Sequence, residues 1–182
     1  MQVRWYDESD RAGLTALVQA VAAEGGAVGW LSVPAPEQVH DWVGRLLAGG
    51  ARLAVAGGPG EVVACGSWRR YDGQVLHTMA SVNKVMTHPQ ARGRGAARVV
   101  VEALVADAQG AGVELITLDC RGNNHGAQRL YASLGFVVTG RRPDVIAVGD
   151  ERFDQVLMHR DLRTGPSGLT RHGSRRKGPG ST

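Results

Sequence analysis

Leu14, Leu17, Val18 and Val21 recur at intervals of three and four, a period that predicts an amphipathic helix. Ser9 or Asp10, in the DESD stretch just before it, supplies a cap, and EGGAVGW (Glu24 to Trp30) breaks it. A second helix starts over Pro34 to Glu37. Its apolar stripe is Val39, Trp42, Val43, Leu46 and Leu47, and Gly49-Gly50 ends it. Val3 to Tyr6, ahead of both helices, reads as a short strand.

The period then changes. Arg52 to Ala56 and Glu61 to Trp68 read as the strands of a hairpin, with Gly57 to Gly60 as its turn. Val75 to Thr87 is β-rich and His88-Pro89 closes it. From Gly95 the spacing is helical again, with Val99, Val100, Ala103, Leu104 and Ala108 on one side and a stop at Gly110 to Gly112. Glu114 to Cys120 has the pattern of a buried strand. Asn123 to Gly135 predicts a helix with an Asn cap and a terminal Gly. FVVTG (Phe136 to Gly140) and Phe153 to Leu162 supply two last strands. The order is strand, two helices, three strands, helix, strand, helix, two strands. It predicts an α/β fold with a mixed, mainly antiparallel sheet and contains no internal repeat.

Composition narrows the class. The 182 residues suit one domain, 1–163, followed by a tail, 164–182, of Gly, Ser, Pro and Arg with little to bury. That composition predicts a disordered basic tail. The net charge is +4, but Arg171, Arg175, Arg176 and Lys177 all lie in the tail, which has no acid. The rest of the chain holds 17 basic and 17 acidic residues. A neutral body argues against a nucleic-acid partner, whose basic patch belongs on the folded surface. The 2 cysteines, Cys65 and Cys120, make no disulfide framework in a chain of this size. There is no basic-then-apolar leader and no apolar run long enough to span a bilayer, so the expectation is a soluble cytoplasmic protein with no membrane partner. Only 2 of the 21 basic residues are Lys, a bias ascribed to coding composition.

The segment HPQARGRGAARVV (His88 to Val100) carries the first candidate chemistry. It follows a strand and opens a helix, where the first backbone N–H groups lack internal partners and the peptide dipoles add positive charge. Gly93 and Gly95 let an anion approach the backbone, and Arg92 and Arg94 add charge at the rim. The alternative is a surface turn with solvated arginines. No Walker motif is present, and the dinucleotide-binding fingerprint is incomplete.

VNKVMTHPQARGRGAARVVVEAL resembles the acyl-CoA-binding signature of the GNAT superfamily, with Arg92, Gly95 and Ala97 at the matching positions. Downstream, ITLDCRGNNHGAQRLYASLGF resembles the second signature of that superfamily through Asn124, Ala127, Leu130, Tyr131, Gly135 and Phe136. The resemblance covers Val3 to Leu162. GGAVGW, the strand end with Lys84, Met86 and Pro89, and the pair Leu118-Asp119 are similar to the tabtoxin-resistance-like branch.

The resemblance implies a GNAT-like sheet of about 6–7 strands flanked by about four helices. It also implies an N-acetyltransferase that moves an acetyl group from acetyl-CoA to a primary amine of a small molecule, an antibiotic or toxin among the candidates. The attack is direct, in a ternary complex. The alternatives are a protein N-terminal or lysine acetyltransferase, and a CoA-binding protein without catalysis. Homodimers are common in folds of this family, and no metal is implied.

By the same resemblance Val85, Met86 and Thr87 pair with the pantetheine amides. The N–H groups of Gly93, Arg94, Gly95, Ala96 and Ala97 hold the pyrophosphate, with Arg92 and Arg94 contributing charge. Asn124 bonds the pantetheine or its loop, or acts as a plain helix cap. Tyr131 protonates the departing thiolate; by residue type alone it is equally a core tyrosine with a satisfied hydroxyl.

Some group must take the proton of the attacking amine. Asp119, an acid in the otherwise apolar strand ITLDC, is the candidate, and burial there would push it toward a useful range. The alternative pairs Asp119 with Arg121 or another cation. Glu24 is the second choice as base, and water can relay the proton. Cys120 reads as a small hydrophobe rather than a nucleophile. The 6 His have no metal-ligand spacing; His88 shapes the cradle and His125 lies on an exposed helix face. Trp30 is a candidate wall of the acceptor pocket, and Trp42 falls on the apolar stripe.

Overall fold

In the computed structural model, which describes residues 1–25 and 29–163, strand β1 (Gln2–Trp5) leads into a short 3-10 turn, Glu8–Asp10. Asp7 starts the turn by accepting the Ser9 N–H at 2.7 Å. Helix α1 (Arg11–Ala23) has Asp10 at its N-cap position, but the carboxylate does not cap it. Asp10 is fully buried and instead pairs with Arg4 at 2.5 Å. A buried carboxylate left alone is strongly destabilising, and this pairing outweighs the cap. The four expected apolar residues of α1 are all buried.

Helix α2 (Pro36–Ala48) starts on a proline whose missing N–H is not needed there. Val39 and Val43 are buried against α1 and the sheet, Trp42 and Leu46 are half-buried, and Leu47 is 40% exposed, outside the predicted stripe.

The remaining strands are β2 (Arg52–Gly57), β3 (Ala64–Arg70), β4 (Met79–Thr87), β5 (Leu115–Arg121), β6 (Val137–Val148) and β7 (Glu151–Asp161). Between them lie α3 (Ala96–Gly110) and α4 (His125–Ser133). The sheet order is β1-β2-β3-β4-β5-β7-β6. Only β4 and β5 run parallel; the other neighbours are antiparallel. This seven-stranded mixed sheet with four α-helices is the architecture the sequence implied.

Several boundaries move. β3 starts at Ala64 rather than Glu61, because Val62 leaves the strand path to pack in the cluster under α1. β4 starts at Met79 rather than Val75: β3 ends with Arg70 opposite Ala80, so earlier residues have no ladder partner. Gln74–Leu76 form a 3-10 turn instead, and Val75 is 90% exposed. The buried face of α3 is Ala96, Val100, Val101, Leu104, Val105 and Ala108, displacing the expected Val99 and Ala103 to half-buried positions. β6 and β7 extend well past the expected segments into one long hairpin. β6 is an edge strand, mostly exposed on both faces, so burial imposes no alternation on its residues.

Two apolar clusters lie on opposite faces of the sheet. Ala54 and Ala56 face the cluster under α3 and α4, while Leu53 and Val55 face the one under α1 and α2, as the two-residue period of a strand requires. β4 breaks that period. Val82 joins the first cluster and Met86 the second, although an even separation places both on one face of a regular strand. The extra residue at Lys84–Val85, opposite Gly66, makes a bulge that turns the strand over, and Lys84 takes φ 55° there. Gly66 makes room at this point: a Cβ would lie 3.0 Å from both Leu104 Cδ1 and Val100 Cγ1 of α3.

Candidate active site

β4 and β5 pair only from Met79 to Ser81 and from Leu115 to Thr117. Beyond that the strands separate. β3 covers one edge of β4 and β7 covers the far edge of β5, so the facing edges from Val82 to Thr87 and from Leu118 to Arg121 are left to a cleft of about 940 Å³. The start of α3, the start of α4 and the end of α1 complete its walls.

The Gly-Arg turn forms one end. His88 accepts the Gln90 N–H at 3.3 Å through Nδ1 and so shapes the 3-10 turn Pro89–Ala91. Gly93 (φ 75°) and Gly95 (φ 82°) are left-handed, a conformation that disfavours any side chain. No heavy atom of the described residues lies within 4 Å of where a Cβ would sit at either position. The first hydrogen bond of α3 runs from the Val99 N–H to the Gly95 carbonyl at 3.2 Å. The N–H groups of Ala96, Ala97 and Arg98 therefore precede the helical ladder and point out of the helix start.

Of the expected cradle residues, Val85, Met86, Thr87, Arg92, Gly93, Gly95, Ala96 and Ala97 line the cleft. Arg94 is exposed and lies outside the lining, whereas Arg98, unremarked in the sequence, lines it. Arg98 also donates to Ser133 Oγ at 2.6 Å, fastening α3 to α4. Arg92 pairs with Glu24 at 2.6 Å, so two residues considered separately in the sequence form one ion pair.

Asn124 caps α4 by accepting the Ala127 N–H at 3.1 Å and lines the cleft as well. About two turns on, Tyr131 is 6% exposed and packs against Phe136, with ring centroids 6.0 Å apart and the rings tilted by 60°. Burial raises its phenol above the ordinary tyrosine value, and the carboxylate of Asp119 pushes the same way. The residue is therefore a neutral O–H donor at physiological pH. Cys120 is raised to about 11, chiefly by burial and then by Asp119, so it is a thiol and a poor nucleophile.

Asp119 differs from expectation in two ways. It is exposed to the cleft rather than buried. It also forms no ion pair with Arg121, whose guanidinium lies over the Phe153 ring at 4.6 Å. The reason is strand geometry. Leu118 and Cys120 are in the cluster under α3 and α4, so Asp119 and Arg121 alternate onto the opposite face. Lys84 comes to the same cleft from the β4 bulge. Its ammonium is half-buried and its pKa is lowered by desolvation, with Asp119 opposing the shift. The signal for it was in the sequence: it is one of 2 Lys, set in a mostly apolar strand. Trp30 and Trp42 pack against the α1–α2 cluster. Among the described residues no group of three His, Cys, Asp or Glu is arranged to hold a metal ion. Also among these residues, no helix is long and apolar enough to cross a membrane. Gly26 to Val28 of the GGAVGW stretch and the predicted 164–182 tail lie outside the described residues.

Residues 14–136 match the acetyltransferase (GNAT) family. The chain is 31% identical over 106 residues to an Escherichia coli L-amino acid N-acyltransferase, a match that covers 57% of this chain and 60% of that protein. It is 28% identical over 150 residues to an L-methionine sulfoximine/L-methionine sulfone acetyltransferase of Salmonella typhimurium, covering 80% of this chain and 85% of the relative. In fold it is similar to a Salmonella typhimurium acetyltransferase solved with its cofactor acetyl-CoA. That likeness has a TM-score of 0.77 at 21% identity and covers 92% of this chain and 98% of the other.

Proposed function

The chain belongs to the acetyltransferase (GNAT) family, and from that premise we propose that residues 1–163 form one catalytic domain that transfers an acetyl group from acetyl-CoA to a primary amine of a small molecule. The observation that carries this reading is the parting of β4 and β5 after Ser81 and Thr117, with the open start of α3 facing the same cleft. The names of the two relatives, which act on amino acids or their analogues, support a small acceptor.

The residues present fit an acyl-CoA. Gly93 and Gly95 leave the backbone bare where a pyrophosphate needs it, and the N–H groups of Ala96, Ala97 and Arg98 offer donors beside them. The free edge of β4 at Val85, Met86 and Thr87 offers peptide groups for the pantetheine amides, as an added strand would meet them. Asn124 holds the opposite wall. Acetyl-CoA supplies an acetyl thioester, which an amine attacks without an acyl-enzyme.

The chain's own residues handle two protons. Asp119 accepts the ammonium proton, directly or through water, so that the nitrogen attacks as a neutral amine. Tyr131 keeps its phenol protonated in the buried part of the cleft and gives that proton to the sulfur as the N–C bond forms and the C–S bond breaks, and the second proton, which the nitrogen sheds on becoming an amide, returns to the phenolate directly or through water.

The test is thiol release from acetyl-CoA across a panel of amines, together with thermal unfolding in its presence. A rise in Tm with acetyl-CoA and amine-dependent thiol release are expected, since a ligand of the folded state stabilises it. Neither effect at millimolar acetyl-CoA would overturn the reading.

A further inference from the structure

The α1–α2 side of the cleft carries an arrangement of charge that acetyl transfer alone does not require. Asp119 and Arg121 stand on one face of β5, and Lys84 approaches from β4. Arg121 is the unusual member. Its guanidinium rests on the Phe153 ring at 4.6 Å, a contact that holds the plane without using its N–H donors. Among the described residues Nε is buried and has no hydrogen-bond partner. Asp154, next to Phe153 on β7, is taken by Arg141 at 2.9 Å and the Asp144 N–H at 3.3 Å. Asp119, two residues back, makes no ion pair with Arg121 either. A guanidinium stacked on a ring at the wall of a cleft, with no ion pair among the described residues, suits a planar two-oxygen anion.

The spacing defines what that anion is attached to. Residues two apart on a strand lie about 7 Å from each other along one face. An ammonium and a carboxylate on one carbon span that distance with a hydrogen bond of about 2.9 Å at each end. Asp119 then meets the nitrogen and Arg121 the carboxylate, while Lys84 adds positive charge on the facing strand.

We propose that the acceptor is an amine with a carboxylate on the adjoining carbon, an α-amino acid or close analogue, and that Arg121 binds the carboxylate. This inference rests on the acetyltransferase reading and deepens it. The test uses the proteinogenic L-amino acids and L-methionine sulfoximine as acceptors. The best of them is then compared with its own carboxamide and its decarboxylated amine. Thiol release from acetyl-CoA is followed alongside calorimetric binding of the acceptor to the CoA-loaded protein.

The free carboxylate is expected to raise kcat/KM about tenfold to a hundredfold over the carboxamide, the scale of a charged hydrogen-bonded contact. Arg121→Gln brings that ratio near one by raising acceptor KM, and Arg121→Lys keeps part of it. The acetyl-CoA-induced rise in Tm, read in both variants, verifies that they fold. Equal use of acid, amide and decarboxylated amine by the unaltered protein overturns the inference and leaves the acetyltransferase standing. Carboxylate-dependent binding that Arg121→Gln abolishes, without thiol release from any amine, does the reverse. Binding of no member of the panel overturns the inference.

Discussion

Arg92 Nη1 stands 2.6 Å from Glu24 Oε2, so the end of α1 is tied to the loop that leads into α3. Both residues line the cleft, and the pair takes up charge on Arg92 that the proposed acetyl-CoA reading would aim at the pyrophosphate. Both side chains are about half exposed, and such a pair contributes about 0–1 kcal/mol to stability. Glu24→Gln is therefore expected to leave unfolding nearly unchanged and to tighten acetyl-CoA binding a few-fold at low ionic strength, with the gain fading in salt. Titration at two salt concentrations measures it. If Glu24→Gln instead removes the acidic limb of the pH–rate profile, the base is Glu24 and not Asp119.

Tyr131 and Asp119 are separable by what they change. Tyr131→Phe deletes one buried hydroxyl and is expected to lower kcat by about 10²-fold while acetyl-CoA affinity stays within a factor of about two to three. Asp119→Asn is expected to lower kcat/KM and flatten the acidic side of its pH dependence. Steady-state kinetics across pH 5–9 decide both, and unaltered turnover in either variant removes that residue from its role.

The glycines test the two halves of the scaffold independently. Gly95→Ala places a side chain at φ 82° in the open cradle, so acetyl-CoA binding is expected to fall by more than the loss of stability explains. Gly66→Ala forces a Cβ to 3.0 Å from Leu104 and Val100 and is expected to cost about 1–3 kcal/mol in unfolding free energy. Urea melts with and without acetyl-CoA separate the two effects.

Alkaline pH reads the buried thiols. Burial raises Cys65 from its ordinary value of 9.0 to about 12. Above pH 9 the unfolded thiol ionises while the folded one keeps its proton, so the folded state binds more protons and stability falls as pH rises. The group's contribution is intact below pH 9 and is lost between pH 9 and about 12. Cys65→Ala is expected to remove a slope of about 1.4 kcal/mol per pH unit across that window. Urea midpoints at pH 8, 9 and 10 measure it; identical slopes in both proteins refute the assignment.

The legible parts were those written in neighbouring residues. Arg92 to Ala97 read as a strand-to-helix turn because glycine permits left-handed backbone and a helix start leaves N–H groups open. Both are properties of a few consecutive residues. Asn124 to Phe136 was legible for the same reason, through a cap, an apolar spacing and a terminal glycine. The tabtoxin-resistance-like likeness, by contrast, leaned partly on GGAVGW, of which only Gly25, Gly29 and Trp30 are described.

The amino-acid sequence by itself determined the order of elements, a mixed and mainly antiparallel sheet, and the strand-to-helix turn at Arg92 to Ala97, because propensity and periodicity act over short range. Tertiary structure decided what each charge is for. Asp10 turned from cap to partner of Arg4, and Glu24 became the partner of Arg92. Asp119 faced the open cleft, and Arg121 came to rest on Phe153, a ring from the last strand. The bulge at Lys84 was equally hidden, since its register depends on Gly66 of the neighbouring strand. A charged side chain takes its role from the residues that folding brings within a few ångströms of it, and those lie far away along the chain.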